Sequence, residues 1–228
     1  KTFNDIASQM VSFSSYRDLW NKFSKSNMSI QDKLDVNREL NNILKKTDLF
    51  NSVVQDILVI SDNGYYFTTI GQDGLAANYD YWSKEWYQKA KDTTGNVYVH
   101  ILGLHNQDFY SKKRAITAKN KTFSISFALQ NSKGKVSGAL IYNFDITQLA
   151  EVLGASNYEE NGKVAILNEE GVIMSRSDNS DIGSMLKVSE RDREIMKREK
   201  TGSFWTKVDG KEHFVSVQAT WMGLRMVA

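Results

Sequence analysis

The residues with the clearest chemical potential lie between positions 79 and 90, in the run Tyr-Asp-Tyr-Trp-Ser-Lys-Glu-Trp-Tyr-Gln-Lys-Ala. Tyr79, Trp86 and Tyr87 supply aromatic rings, and the cation Lys84 lies among them. Rings with polar tips can enclose a small polar ligand while a neighbouring charge pairs with one of its charged ends. We therefore interpret this stretch as one wall of a ligand pocket.

A short helix is expected to position these side chains. Ser83 suits the N-cap of a helix and Glu85 suits its first turn. Two interpretations stay open for Lys84 and for Trp86. Lys84 is either a ligand cation or an ordinary solvated charge, and Trp86 is either part of the core or a surface on which a ligand rests.

A second candidate region follows a strand-like run over 136–144. Asp145 comes directly after this apolar run, where it can cap a helix that begins at Ile146. Strand alternation points Asn143 and Asp145 to the same face. Asn143 is therefore a candidate neighbour of any site that includes Asp145.

The first 48 residues are predicted to be helical, because Phe3, Ile6 and Met10 begin an apolar stripe at helical spacing. Ser29 and Asp32 resemble a capping box, which indicates that the helix ends near position 26 and then restarts. The stretch is either two helices of a bundle or a long stalk against which a sheet packs. Its apolar stripe would allow two copies of the chain to pair.

Beyond this stretch the sequence predicts two related α+β modules, over 49–155 and 156–228. The run 58–67 consists of an apolar strand, an acidic turn ending in Gly and a second strand, and the run 165–174 repeats that pattern. Each run is followed by a helix and further strands. The predicted fold is therefore a helical stalk over 1–48 followed by two antiparallel-sheet modules.

Composition excludes several classes of function. The 228-residue chain has a net charge of +2, too balanced for nucleic-acid binding, and no Cys for disulfides or thiol chemistry. No apolar run reaches the length of a membrane helix. The three histidines, His100, His105 and His213, lack the spacing of a metal site, so we expect no metal and no cofactor. The sequence contains no nucleophile–base pair of the kind that would indicate an enzyme.

The order of these parts resembles the double Cache domain, a PAS-like extracytoplasmic sensor of bacterial transmembrane receptors. Double Cache domains that bind amino acids share a Tyr, an Arg five residues later, then x-Trp-Tyr, and an Asp after a later strand. Tyr79, Trp86, Tyr87 and Asp145 match that pattern, and Lys84 replaces the Arg.

The resemblance implies a role for each matched residue. In the family the Arg and the rings hold the carboxylate of a ligand, and the Asp holds its amine. Lys84 is a point charge on a flexible stem rather than a planar two-pronged donor. The expected ligand is therefore broader than an α-amino acid: an amino acid, an amine, an organic acid or a sugar.

Other features resemble Gram-positive sensor histidine kinases, namely the Gly-Lys-Val-x-Gly strand from Gly134 and the ending Trp221-x-Gly223. The resemblance implies an extracytoplasmic sensor of a receptor in the bacterial plasma membrane. Flanking membrane helices would join the sensor to a histidine kinase or a chemotaxis output domain. The alternative is a ligand-free structural module that dimerises through its N-terminal helix.

Overall fold

The structure, a computed structural model, describes residues 16–45, 53–70, 75–76, 78–94, 98–106, 109–111, 121–154, 162–220 and 223–228. This part of the chain folds into two compact units, and the division between them falls between Asp145 and Ile146. Each unit contains one five-stranded sheet.

In its described residues, the first unit combines three helices with an antiparallel sheet whose strand order is β2-β1-β5-β4-β3. Its helices are α1 (Arg17–Phe23), α2 (Ile30–Lys45) and α3 (Glu85–Lys91). Its strands are β1 (Val54–Ser61), β2 (Tyr66–Thr68), β3 (Val99–Asn106), β4 (Lys121–Gln130) and β5 (Val136–Phe144).

The helical prediction for the N-terminal region is confirmed over its described part, including the break. A capping box begins α2, because the Asp32 amide donates to Ser29 Oγ (3.0 Å) and the Ser29 amide donates to Asp32 Oδ2 (3.2 Å). Within residues 16–45, two helices occupy the region for which we predicted either two helices of a bundle or a long stalk. Residues 1–15 and 46–48 of that expectation lie outside the described residues.

Polar contacts join the two N-terminal helices to the turn between β1 and β2. Asn63 Nδ2 donates to the carbonyl of Phe23 (2.9 Å), at the end of α1. Tyr65 donates its hydroxyl proton to Asn37 Oδ1 of α2 (2.8 Å), and its ring packs against Phe23. These contacts hold both helices against the sheet unit.

The two faces of the first sheet differ in character. On β1, Ile57 and Val59 face one side and are fully buried, and α1 contacts β4 of the same sheet. The alternate residues Leu58 and Ile60 form a core with Tyr87 and other residues of the α3 region. Strand alternation therefore makes the sheet a partition, with α3 and its preceding loop on one face.

The second unit repeats the sheet architecture, with strand order β7-β6-β10-β9-β8. Its core lies between the sheet and α5, and it includes Leu167, Met196 and Val217. The helices are α4 (Ile146–Gly154) and α5 (Glu190–Arg198), and the strands are β6 (Ala165–Leu167), β7 (Ile173–Arg176), β8 (Thr201–Val208), β9 (Lys211–Ala219) and β10 (Arg225–Val227). The predicted α+β fold with two antiparallel-sheet modules is confirmed.

The repeated hairpin also has the predicted turn chemistry. Gly64 between β1 and β2 has φ +89°, and Gly171 between β6 and β7 has φ +88°. Positive φ favours glycine, which explains why each acidic turn ends in that residue.

Helix α4 follows the last strand of the first sheet and lies near the expected boundary between the modules. We expected the first module to extend to residue 155, whereas α4 falls within the second unit and packs against β7. The division into 1–48, 49–155 and 156–228 stays a prediction, and residues 155–161 lie outside the described part.

The close approach of β1 and β5 provides a test of the first sheet. A Cβ atom at Gly138 would collide with the carbonyl oxygen of Ile60. We predict that Gly138→Ala lowers the free energy of unfolding by about 2–3 kcal/mol, measured by urea denaturation. Gly202→Ala is the control, because its Cβ would make only ordinary contacts, 3.7 Å or more from Glu199. Equal stability of both variants would contradict the tight β1–β5 pairing.

Candidate ligand-binding site

The helix that carries the aromatic motif begins one residue later than the sequence suggested. Lys84, not Ser83, is at the N-cap of α3 and its side chain makes no cap hydrogen bond. Asp80 organises the preceding turn instead, because its Oδ1 accepts hydrogen bonds from the amides of Trp82 (3.1 Å) and Ser83 (3.2 Å). This turn places Lys84 beside the rings that precede the helix.

The motif residues Tyr79, Lys84 and Trp86 meet in one aromatic cluster. Lys84 Nζ lies 4.7 Å from the centroid of the Tyr79 ring, a cation–π distance. Tyr79 and Trp86 both contact Phe109, with ring centroids 6.2 and 5.9 Å apart. Tyr81 lies between them, 4.9 Å from Tyr79 and 6.2 Å from Trp86.

Beneath this cluster, a row of buried polar side chains crosses four strands. Asn143 Nδ2 on β5 donates to Asp56 Oδ1 on β1 (2.9 Å), and Ser124 Oγ on β4 donates to Asn143 Oδ1 (2.6 Å). His105 Nε2 on β3 lies 2.7 Å from Ser124 Oγ, and Tyr110 donates its hydroxyl to Asp56 Oδ2. Asp56, Ser124 and Asn143 are at most 1% exposed.

The cluster and the polar row meet at His105. Its ring is stacked on Trp86, with centroids 5.5 Å apart and an interplanar angle of 16°. Because Ser124 Oγ gives its proton to Asn143, it accepts from His105, so Nε2 of His105 carries a proton. Trp86 is therefore linked through His105 to the row that ends at the Asp56 carboxylate.

Tyr81 adds a hydroxyl group that is buried near the carboxylate. Its residue is 2% exposed, and among the described residues its hydroxyl oxygen has no hydrogen-bond partner. Burial, and then the proximity of Tyr66, Tyr79 and Asp56, raise the pKa of Tyr81. The hydroxyl therefore stays protonated and can donate a hydrogen bond.

Tyr87 is held by several contacts within the first unit. Its side chain is fully buried, and its hydroxyl donates to Asp62 Oδ1 (3.1 Å) and lies 3.4 Å from the carbonyl of Ile60. Lys91 Nζ pairs with the same Asp62 oxygen (2.7 Å) and lies over the Tyr87 ring. These contacts attach α3 to the β1–β2 turn, while the Tyr87 ring contacts Trp86.

Asn143 lies near the end of β5, and Asp145 directly follows that strand. Asn143 belongs to the buried polar row, whereas Asp145 is half-buried and its backbone amide donates to the carbonyl of Val53 (3.0 Å). The ligand roles of Tyr79, Lys84, Trp86, Tyr87, Asn143 and Asp145 stay predictions.

Sequence reasoning missed Asp56, His105, Phe109 and Tyr110. One signal was available for Asp56, since it is the one carboxylate in β1 and directly precedes the apolar run from Ile57 to Ile60. Charged residues are rarely fully buried unless they are paired. The other three depend on strand pairing and loop closure, which have no local signature.

These features define the described part of the chain as an α+β protein of two sheet units, the first of which carries a candidate ligand site. The family model dCache_1, described as a Cache domain, matches residues 2–224. The chain therefore belongs to the Cache domain family, which confirms the predicted double Cache fold and its class, a sensor and not an enzyme. No curated protein matches the sequence.

Solved sensor domains of chemoreceptors share the fold. The periplasmic sensory domain of the Campylobacter jejuni chemoreceptor Tlp1 has a TM-score of 0.67 at 12% identity, covering 99% of this chain and 87% of that one. The ligand-binding domain of the Pseudomonas aeruginosa chemoreceptor PctC, solved with GABA, has a TM-score of 0.58 at 14% identity, covering 99% and 92%. That of Pseudomonas fluorescens CtaA with L-serine has 0.58 at 13%, covering 99% and 90%.

Two further observations concern membrane spans and metal sites. Among the helices of the described part, none is long and apolar enough to cross a membrane. In the same residues, no group of three or more His, Asp and Glu side chains could hold a metal ion.

The buried tyrosines give a pH prediction. Burial raises the pKa of Tyr87, Tyr81 and Tyr142 above the ordinary value of 10.0. A group whose pKa is higher in the folded state binds its proton more tightly there, so its stabilisation is complete below pH 10 and is lost as the pH rises further. We predict that the first unit loses stability above about pH 10.

Tyrosinate absorbance and circular dichroism during an alkaline titration would measure this loss. Tyr81→Phe and Tyr87→Phe should each make the decline less steep, because one titrating group is removed. Ionisation of all tyrosines near their ordinary pKa, with no loss of structure, would contradict the burial that the structure shows.

Proposed function

We propose that the first unit binds a small molecule that carries an ammonium group and an acidic group, such as an amino acid or a related amine acid. One observation carries this proposal: Lys84 and the aromatic cluster lie on the face of the sheet that also buries the Asp56 carboxylate. A cation and a carboxylate separated by aromatic walls suit a ligand with opposite charges at its two ends.

Lys84 and Tyr79 suit the acidic end of the ligand. Lys84 Nζ lies over the Tyr79 ring and Lys84 is half-buried, so a carboxylate could replace the ring contact with a charge-assisted hydrogen bond. An ammonium has no fixed planar geometry, which allows acids of different shapes. Trp86 and Tyr87 would form the aromatic wall next to it.

Two carboxylates compete for the ammonium end. The resemblance assigns this role to Asp145, with Asn143 beside it. The geometry favours Asp56, because its carboxylate is buried and already held by Asn143 and Tyr110. The nearby Tyr81 hydroxyl, which has no hydrogen-bond partner in the described part of the chain, and the ring faces around it add further attraction for a cation.

The receptor context also belongs to the proposal. We infer that the chain is the extracytoplasmic part of a bacterial plasma-membrane receptor, a Gram-positive sensor histidine kinase or a chemoreceptor. The first unit is then the membrane-distal module, and pairing of the N-terminal helices would make a homodimer. Signalling requires that the ligand bind one conformation more tightly than the other.

Relatives support the ligand class, since their structures contain GABA and L-serine. We predict that a panel of amino acids, amines, organic acids and sugars contains a compound that raises the melting temperature. At about a hundred times its dissociation constant it should contribute about 2.7 kcal/mol, or about 5–10 °C. A panel without any response, together with concentration-dependent dimerisation, would favour the ligand-free structural module.

Variants that each remove one charge would show which residue contacts each end of the ligand. We predict that Lys84→Met weakens binding of a hit about 10- to 100-fold, because a charge-assisted contact is lost. Lys89→Met is the matched control, since Lys89 lies on the same helix and is exposed. Calorimetric titration would measure each affinity. Equal affinities in the two variants would show that Lys84 does not contact the ligand.

The same titration would assign the ammonium end. If Asp56 holds it, Asp56→Asn should abolish the preference for the hit over its analogue without the amine, and Asp145→Asn should not. The reverse result would return the role to Asp145. Retention of the preference in both variants would contradict the proposed site as a whole. The melting temperature without ligand would show that each variant is folded.

A further inference from the structure

The second unit contains a small cleft of its own. It has a volume of about 10 Å³, enough for one water-sized atom. The cleft is formed where the turn between β6 and β7, the helix α5 and the strand β10 come together. Its polar and charged lining consists of Asn168, Glu169, Arg193, Lys197 and Arg225.

Arg225 is fixed beside the cleft by the end of α5. Its Nε donates to the carbonyl of Met196 (2.7 Å) and its Nη2 donates to the carbonyl of Lys197 (2.5 Å). Carbonyls in the last turn of a helix lack partners within the helix and attract cations. Two of the three guanidinium nitrogens are therefore committed, while the buried Nη1 has no partner among the described residues.

The side chain of Arg193 passes beside Gly171 to reach the cleft. Its side-chain carbons lie 3.8 Å from the position that a Cβ of Gly171 would occupy, so the glycine in the turn leaves room for the arginine. Its Nε is also buried and has no partner within the described part of the chain. Two guanidinium groups thus bring unused N–H donors to a space for one atom.

The charges around the cleft favour an anion over water. Three cations, Arg193, Lys197 and Arg225, face one carboxylate, Glu169. Lys197 already pairs with Glu194 (2.9 Å) outside this set. A water molecule can accept hydrogen bonds from both arginines but leaves their charges unbalanced, whereas an anion accepts the same bonds and offsets the charge.

We propose that this cleft binds a small anion, a halide or one oxygen of a carboxylate, between Arg193 and Arg225. The anion would join the β6–β7 turn, the end of α5 and the start of β10. Its effect would therefore be to stabilise the second unit. The proposal is independent of the ligand of the first unit.

The test uses chloride as the probe ion and the whole chain. Chlorine-NMR line broadening should saturate with chloride in the wild type. Arg193→Met should lower the affinity about tenfold or more, because it removes a buried charged donor. Arg191→Met, an exposed arginine on the same helix, is the matched control and should bind chloride as the wild type does.

A charge variant and a competing anion give two further tests of the cleft. Glu169→Gln should strengthen chloride binding, because it removes the negative charge from the lining of the cleft. Acetate should displace chloride if the site accepts a carboxylate oxygen, and leave it bound if the site is specific for halides.

Broadening that does not saturate, or that is equal in Arg193→Met and Arg191→Met, would overturn the proposal and leave water as the occupant. Arg225→Met is a second test, which also removes two contacts with α5. If that variant does not fold, Arg193→Met still decides, because it keeps the contacts of Arg225.

Discussion

The first unit depends on the burial of one carboxylate, that of Asp56, within a sheet. A buried charge is costly unless hydrogen bonds stabilise it. Here donors run in one direction across the sheet, from His105 to Ser124 and on to Asn143, which donates to Asp56. Tyr110 supplies the second donor to the same group. This network fixes the strand register beneath α3, because a slip of one residue would move every member to the opposite face.

The same network explains why the aromatic cluster lies where it does. His105 is both the first donor of the row and the surface on which Trp86 stacks, so the position of α3 over the sheet is coupled to the hydrogen bonds of Asp56. Tyr87 and Lys91 also fix α3, through their contacts with Asp62 in the β1–β2 turn. A displacement of Trp86 would therefore reach the sheet through side chains that already touch.

The sequence predicted what is local and missed what depends on pairing. Tyr79, Lys84 and Trp86 lie within eight positions of one another, so one turn and one helix bring them together, as the motif suggested. Asp56 and Asn143 are 87 positions apart and meet only because β1 pairs with β5. The hydroxyl of Tyr87 bonds to Asp62, which lies in a turn that no spacing rule connects to α3.

The two units show how one scaffold supports different chemistry. Both use an acidic turn that ends in a glycine with positive φ, and both place a helix on one face of a five-stranded sheet. In the first unit the sheet face under α3 carries the polar row of Ser124, Asn143 and Asp56 next to apolar core residues. In the second unit the core under α5 includes Leu167 and Val217, and guanidinium nitrogens of Arg193 and Arg225 are among the buried polar atoms without a partner in the described residues. The fold sets only the positions, and the side chains at those positions decide which charge each unit can accept.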